Sequence, residues 1–210
     1  MRLPDRNLLA TPKAAAMWTF PNILTYARIA AIPLMLATFY WDTTCTRWLA
    51  CGLFAAAALT DFFDGYLARR FNQVSAIGRF LDPIADKLLV AALLLFLAAF
   101  DRIGPLGLIP AAIILCREIL VSGLREYLAE IQIGMPVTPL AKWKTATQLV
   151  ALPVLIVGDP GLPGHAITLI GEILLWVAGL LTLMTGYTYL RAGIAHMRAE
   201  DEGRDQASED

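Results

Sequence analysis

Four aspartates inside an apolar chain set the terms for what this sequence can become. The stretch reads Asp61-Phe-Phe-Asp64-Gly65-Tyr-Leu-Ala68-Arg69, then eight residues to Gly78, then Asp82 and Asp86. Residues three or four apart share one face of a helix. Asp61, Asp64, Gly65 and Ala68 therefore form one stripe, and Gly78, Asp82 and Asp86 form another. Two helices built this way can aim their acids into a common pocket. Four carboxylates repel one another strongly where water is scarce, so such a pocket requires cations. Carboxylates with no His or Cys among them suit hard divalent ions such as Mg²⁺ or Mn²⁺.

The surroundings of the acids are those of a membrane protein. Of 210 residues, 58% are hydrophobic, against about 45–50% in soluble domains, and the mean hydropathy is +0.60. The net charge is -1 and the basic residues are scattered at segment ends rather than clustered, which gives no sign of a nucleic-acid surface. Cys45, Cys51 and Cys116 have no metal-type spacing and are expected as buried thiols on helices. There is no Gly-x-Ser-x-Gly elbow, and His165 and His196 lie outside the acidic cluster, so a serine hydrolase or a zinc site is excluded.

In chain order, residues 1–17 form a polar, proline-broken N-terminal segment that is either interfacial or loose. Six apolar segments follow, at about 22–40, 47–68, 77–100, 106–128, 143–158 and 165–190, each measured against the 17–25 residues of a spanning helix. Residues 18–198 make up the membrane domain, and residues 199–210 read as an acidic disordered tail. The expected fold is all-α: a polytopic bundle of six transmembrane helices. Arg2, Arg6 and Lys13 precede the first span, and Arg69, Arg70 and Arg79 lie between the second and third. Arg117, Arg125, Lys142 and Lys144 surround the fourth connection, and Arg191 and Arg198 follow the sixth span. The positive-inside rule then puts both termini in the cytoplasm. The uncharged parts of spans two and three, Trp48 to Thr60 and Leu88 to Phe100, are too short to cross the hydrocarbon core alone. The acidic turns are expected within the inner leaflet, in a pocket of an inner-membrane protein that opens to the cytoplasm.

The acidic element resembles the signature of the CDP-alcohol phosphotransferases, Asp-x2-Asp-Gly-x2-Ala-Arg-x8-Gly-x3-Asp-x3-Asp, at every position. Buried ion pairs with Arg69 and Lys87 would match only two of the four acids. The resemblance implies a six-helix membrane enzyme, usually a homodimer. Such an enzyme transfers a phosphatidyl or related group from a CDP-linked donor to an alcohol and releases CMP. It implies two divalent ions, Mg²⁺ or Mn²⁺, on Asp61, Asp64, Asp82 and Asp86. Asp86 is also the best general base, because clustered carboxylates raise one another's pKa. Gly65, Ala68 and Gly78 lack bulk where a CDP-diacylglycerol nucleotide would approach. Arg69 suits a bidentate grip on its diphosphate, and the resemblance adds Ser75 to the donor site.

Two further stretches bear on the substrates. Arg117-Glu118-Ile-Leu-Val-Ser122-Gly123-Leu-Arg125-Glu126 and Lys142-Trp143-Lys144-Thr145 place cations in or beside spans, where charge usually means function or pairing. They resemble the corresponding stretch of bacterial phosphatidylglycerophosphate synthases, whose acceptor is glycerol 3-phosphate. That assigns Arg117, Arg125, Lys142 and Lys144 to an acceptor phosphate. Phe20-Pro21-Asn22-Ile23-Leu24-Thr25-Tyr26-Ala27-Arg28 resembles the Pro-Asn-x2-Thr-x2-Arg opening of the same enzymes. Asn22 and Thr25 are expected at the donor and Arg28 at the acceptor. The rivals are a family member with another acceptor (inositol phosphate, serine or phosphatidylglycerol) and, from a different class, a cation transporter.

Overall fold

The computed structural model describes residues 20–71, 76–130, 138–162 and 166–209. Within these ranges the side chains of 20, 21, 61–71, 76, 77, 79, 130, 196 and 198–209 lie outside the description. Among the described residues every regular element is helical, with no strand. The helices are α1 Phe20–Ala37, α2 Thr44–Phe71, α3 Ala76–Ala99, α4 Leu108–Glu130, α5 Pro139–Gly161 and α6 Ile167–Glu209, with one 3-10 turn at Thr38–Tyr40. These six match the six apolar segments of the sequence. Three are long and apolar enough to cross a bilayer unaided: Asn22–Tyr40, Pro139–Gly161 and Ile167–Ala195. α3 and α4 carry Asp82, Asp86 and Lys87, and Arg117, Glu118, Arg125 and Glu126. Charges placed for chemistry lower a helix's mean hydropathy.

Local chemistry sets the boundaries. Pro21 falls in the first turn of α1, where its missing N–H costs nothing. Thr43 precedes α2 and exchanges bonds with Thr46. The Thr46 amide donates to Thr43 Oγ1 at 3.2 Å and the Thr43 amide to Thr46 Oγ1 at 2.9 Å, a reciprocal cap. Thr138 caps α5 ahead of Pro139, accepting from the Ala141 amide at 3.4 Å. The Asp159 carboxylate caps α6 by accepting from the Ile167 and Thr168 amides at 2.6 and 3.1 Å.

α1 packs on α2 and α3, α2 on α5, and α6 on α4 and α5. The core runs through Met35, Phe39, Phe54, Leu93, Leu97, Ile114, Leu152, Leu155 and Leu175. Leu34, Leu95, Ile119, Met184 and Tyr187 are each more than half exposed, as a lipid-facing surface requires. Cys45 and Cys116 are exposed and Cys51 is half-buried. The expected buried thiols therefore lie mostly on the outside of their helices, since a lipid-facing surface takes small apolar groups as readily as a core does.

Two features position the site. Along α6, added Cβ atoms at Gly179, Gly186 and Gly193 would meet Pro110 at 2.8 Å, Arg117 Cγ at 2.9 Å and Leu124 at 2.7 Å. Both sets step by seven residues, so α4 and α6 run parallel in register at close range, with Arg117 as the middle rung. α6 also continues through the charged segment to Glu209, where composition alone reads as a disordered tail. Glu, Arg, Gln and Ala extend an existing helix without a nucleation cost.

Candidate active site

Asp82 and Asp86 lie four apart on α3 and share a face. The N-terminal third of α1 packs against them with Asn22, Thr25 and Arg28, spaced by three and each at most 2% exposed. Thr25 Oγ1 donates to Asp82 Oδ1 at 2.5 Å. That bond fixes the carboxylate's orientation, as outer-shell donors do for metal ligands. Arg28 Nη1 lies 4.0 Å from Asp86 Oδ1, while the Asp86 side chain remains 58% exposed. One acid is thus oriented and the other is reachable. Gly78, one turn before Asp82, is buried. Asp61, Asp64, Gly65, Ala68 and Arg69 lie in the last turns of α2, but their side chains are outside the described residues, as is Ser75 altogether. Among the described residues no group of three potential metal ligands converges. Asp82 and Asp86 fit a hard divalent ion by donor chemistry, offering carboxylate oxygen only.

A cavity of about 540 Å³ opens beside Asp86, between α3, α4 and α5. Glu118 links two of its cations. Its Oε1 accepts from Lys144 Nζ and lies 3.6 Å from Arg117 Nη1. Arg117 Nη2 also donates to Thr185 Oγ1 at 3.2 Å, and its guanidinium lies 5.6 Å from the Tyr189 ring centre. Lys87 donates to Ser122 Oγ, which donates to Glu126 Oε1 at 3.3 Å. Lys87 therefore turns to α4. Arg125 is exposed on the lining. Lys142, expected in the same group, is exposed and outside the lining. Two residues span about 200° of helix, so it cannot share the face of buried Lys144.

The sequence reading missed Gln148, which lines the cavity one turn beyond Lys144. A lone amide four residues from a lysine, at the head of the apolar run from Leu149, was the signal available. The lining carries four cations, Lys87, Arg117, Arg125 and Lys144, beside Asp86, Glu118 and Glu126, a mixture that suits a reaction between anionic substrates.

The chain matches the sequence model described as CDP-alcohol phosphatidyltransferase over residues 18–184, which includes Asp82, Asp86, Arg117, Lys144 and Gln148. It belongs to that family. Among its relatives is a CDP-diacylglycerol--glycerol-3-phosphate 3-phosphatidyltransferase of Rickettsia bellii. That protein is 49% identical over 172 residues, covering 82% of this chain and 93% of the relative. One of the same name from Cereibacter sphaeroides is 37% identical, covering 87% and 99%. A cardiolipin synthase (CMP-forming) of Oryza sativa is 39% identical, covering 86% of this chain and 59% of the plant protein. Relatives of this chain thus carry the names of different enzymes.

Proposed function

We propose that this chain is a phosphatidylglycerophosphate synthase: it transfers the phosphatidyl group of CDP-diacylglycerol to glycerol 3-phosphate and releases CMP. The observation that carries this reading is the cavity beside Asp86, whose other walls hold Arg117, Lys144 and Arg125. A phosphorylated acceptor needs such cations beside an acidic centre, whereas serine does not. The names of the bacterial relatives support the same acceptor.

In this reading Asp61, Asp64, Asp82 and Asp86 hold two divalent ions. When bound, these neutralise the diphosphate and stabilise the leaving phosphate. Thr25 keeps Asp82 in its ligating orientation. Asn22, Gly65, Ala68, Arg69, Ser75 and Gly78 receive the cytidine diphosphate portion of the donor. Arg117, Arg125 and Lys144 hold the acceptor phosphate, and Arg28, 4.0 Å from Asp86 Oδ1, sits where it can reach the acceptor beside that acid. Asp86 takes the proton of the attacking primary hydroxyl. The new bond joins that oxygen to the lipid-side phosphorus. The bond from this phosphorus to the bridging oxygen breaks, and CMP leaves with that oxygen and the electron pair. Six spans, with both termini and the site on the cytoplasmic side of the inner membrane, let a lipid donor reach the acids from the bilayer.

An acceptor swap tests the proposal. The purified protein in lipid receives CDP-diacylglycerol with glycerol 3-phosphate, phosphatidylglycerol, inositol phosphate or serine, and CMP is measured. Release is expected with glycerol 3-phosphate. Release only with another acceptor reassigns the substrate, and ion flux in proteoliposomes without CMP supports a transporter.

A further inference from the structure

Gln148 is 6% exposed, yet it lines the cavity. Among the described residues no hydrogen bond reaches its amide. Its polar neighbours differ: Lys144 and Arg117 engage Glu118, and Lys87 and Ser122 engage each other. Buried polar side chains are paired in the large majority of cases. An amide with two donors and one acceptor facing a cavity is therefore fitted to something that enters it.

The surroundings define that ligand. Lys144 lies one turn earlier on α5, about 6 Å along the axis, on the same face. In the other direction α5 enters the core at Ala151 and Leu152, and buried Phe54 and Leu89 are among the apolar residues lining the cavity. Along α5 a cation precedes the amide and apolar core residues follow it. A ligand filling both positions carries an anionic group with an uncharged hydroxyl a few bonds away. Resting on the function proposed above, the acceptor has three polar groups. Its phosphate goes to the cations and its primary hydroxyl to Asp86. The secondary hydroxyl is left over.

We infer that Gln148 reads this secondary hydroxyl. Its carbonyl accepts from the O–H and its amino group donates to the oxygen, which makes it a specificity-determining residue for phosphorylated polyols. Apolar walls beyond it leave a ligand without that hydroxyl unable to satisfy the amide.

The test pairs residue with substrate. Glycerol 3-phosphate is compared with 3-hydroxypropyl phosphate, which lacks only the secondary hydroxyl. The proteins are the wild type, Gln148→Leu and the length-matched Gln148→Met, and kcat/KM is measured from CMP release. The wild type is expected to favour glycerol 3-phosphate by about 10–100-fold, the value of one neutral hydrogen-bonded group in a buried site. Both variants are expected to lose that preference by slowing with glycerol 3-phosphate, while 3-hydroxypropyl phosphate stays within about threefold. A wild type indifferent to the hydroxyl overturns the inference whatever the variants do. So does an equal loss on both acceptors, which marks Gln148 as a packing residue. A wild type that releases no CMP with either acceptor removes the proposed function itself, a separable result.

Discussion

Two charged clusters occupy opposite ends of these helices, and they differ in what their donors do. At one end Asp42 Oδ1 accepts from Arg47 Nε at 2.8 Å and from Arg102 Nη2 at 2.9 Å. The guanidinium groups also donate to the carbonyls of Val157 and Ile156 at 3.2 and 3.0 Å. Those carbonyls are released where Gly158 leaves the helical conformation at φ 58°. Arg102 lies 3.9 Å from the centre of the Phe39 ring. Burial, then the neighbouring Arg47, pulls Arg102 down to about 10 against the pull of Asp42, so it stays cationic at neutral pH. This cluster is closed, its cations stacked, paired and capping a kink. At the other end Arg117, Lys144, Arg125 and Gln148 border a cavity. Ionisable groups in apolar helices are costly in both places. The closed cluster offsets that cost by gathering its cations around Asp42, and the open one borders a space that a ligand can enter. Charge in a membrane helix points to a site when it borders such a space.

That contrast can be broken or sharpened by substitution. The largest effect is expected for Asp86→Asn, with transfer falling about 10²–10⁴-fold as the general base is lost. Stabilisation of the protein by Mg²⁺ should remain measurable in a thermal melt, whereas Asp64→Asn should lose it. Activity in Asp86→Asn above a tenth of wild type removes it as the base. Next comes Lys144→Met, which leaves Glu118 with Arg117 and removes a phosphate donor. A loss of about 2–4 kcal/mol in kcat/KM for the acceptor is expected, with the KM for CDP-diacylglycerol little changed. Asp42→Asn belongs to the closed cluster and should act the other way. Unfolding should become easier by about 1–2 kcal/mol, discounted because the carboxylate is 55% exposed, while the acceptor KM stays put. A changed acceptor KM there would join the two clusters and defeat the comparison. Smallest is Lys142→Ala, expected within about 0.5 kcal/mol on either readout.

Much of this was legible in the sequence because helix spacing carries it. The stripes Asn22–Thr25–Arg28 and Asp82–Asp86 each fall on one face, and the structure brings the two stripes together. Single-face arguments stop at one helix, however. Spacing alone did not give Lys87 its partners on α4, nor place Lys142 outside the cavity two residues from Lys144. Nor did it show Arg47 and Arg102, far apart in the chain, meeting at one aspartate. Composition misread the C-terminal charges as disorder because it ignores the helix already running into them. The seven-residue register of glycines against Pro110, Arg117 and Leu124 was present in the sequence, but visible only once α4 and α6 were neighbours.

The most direct test of the account is a divalent-ion titration read two ways on the same protein. With chelator present, CMP release from CDP-diacylglycerol and glycerol 3-phosphate should vanish. Mg²⁺ or Mn²⁺ should restore it over the same concentrations that raise the thermal midpoint, and neither response should survive in Asp64→Asn. Full activity in chelator, or a thermal response unchanged in Asp64→Asn, would contradict the claim that the aspartates of α2 and α3 form one cation-charged centre.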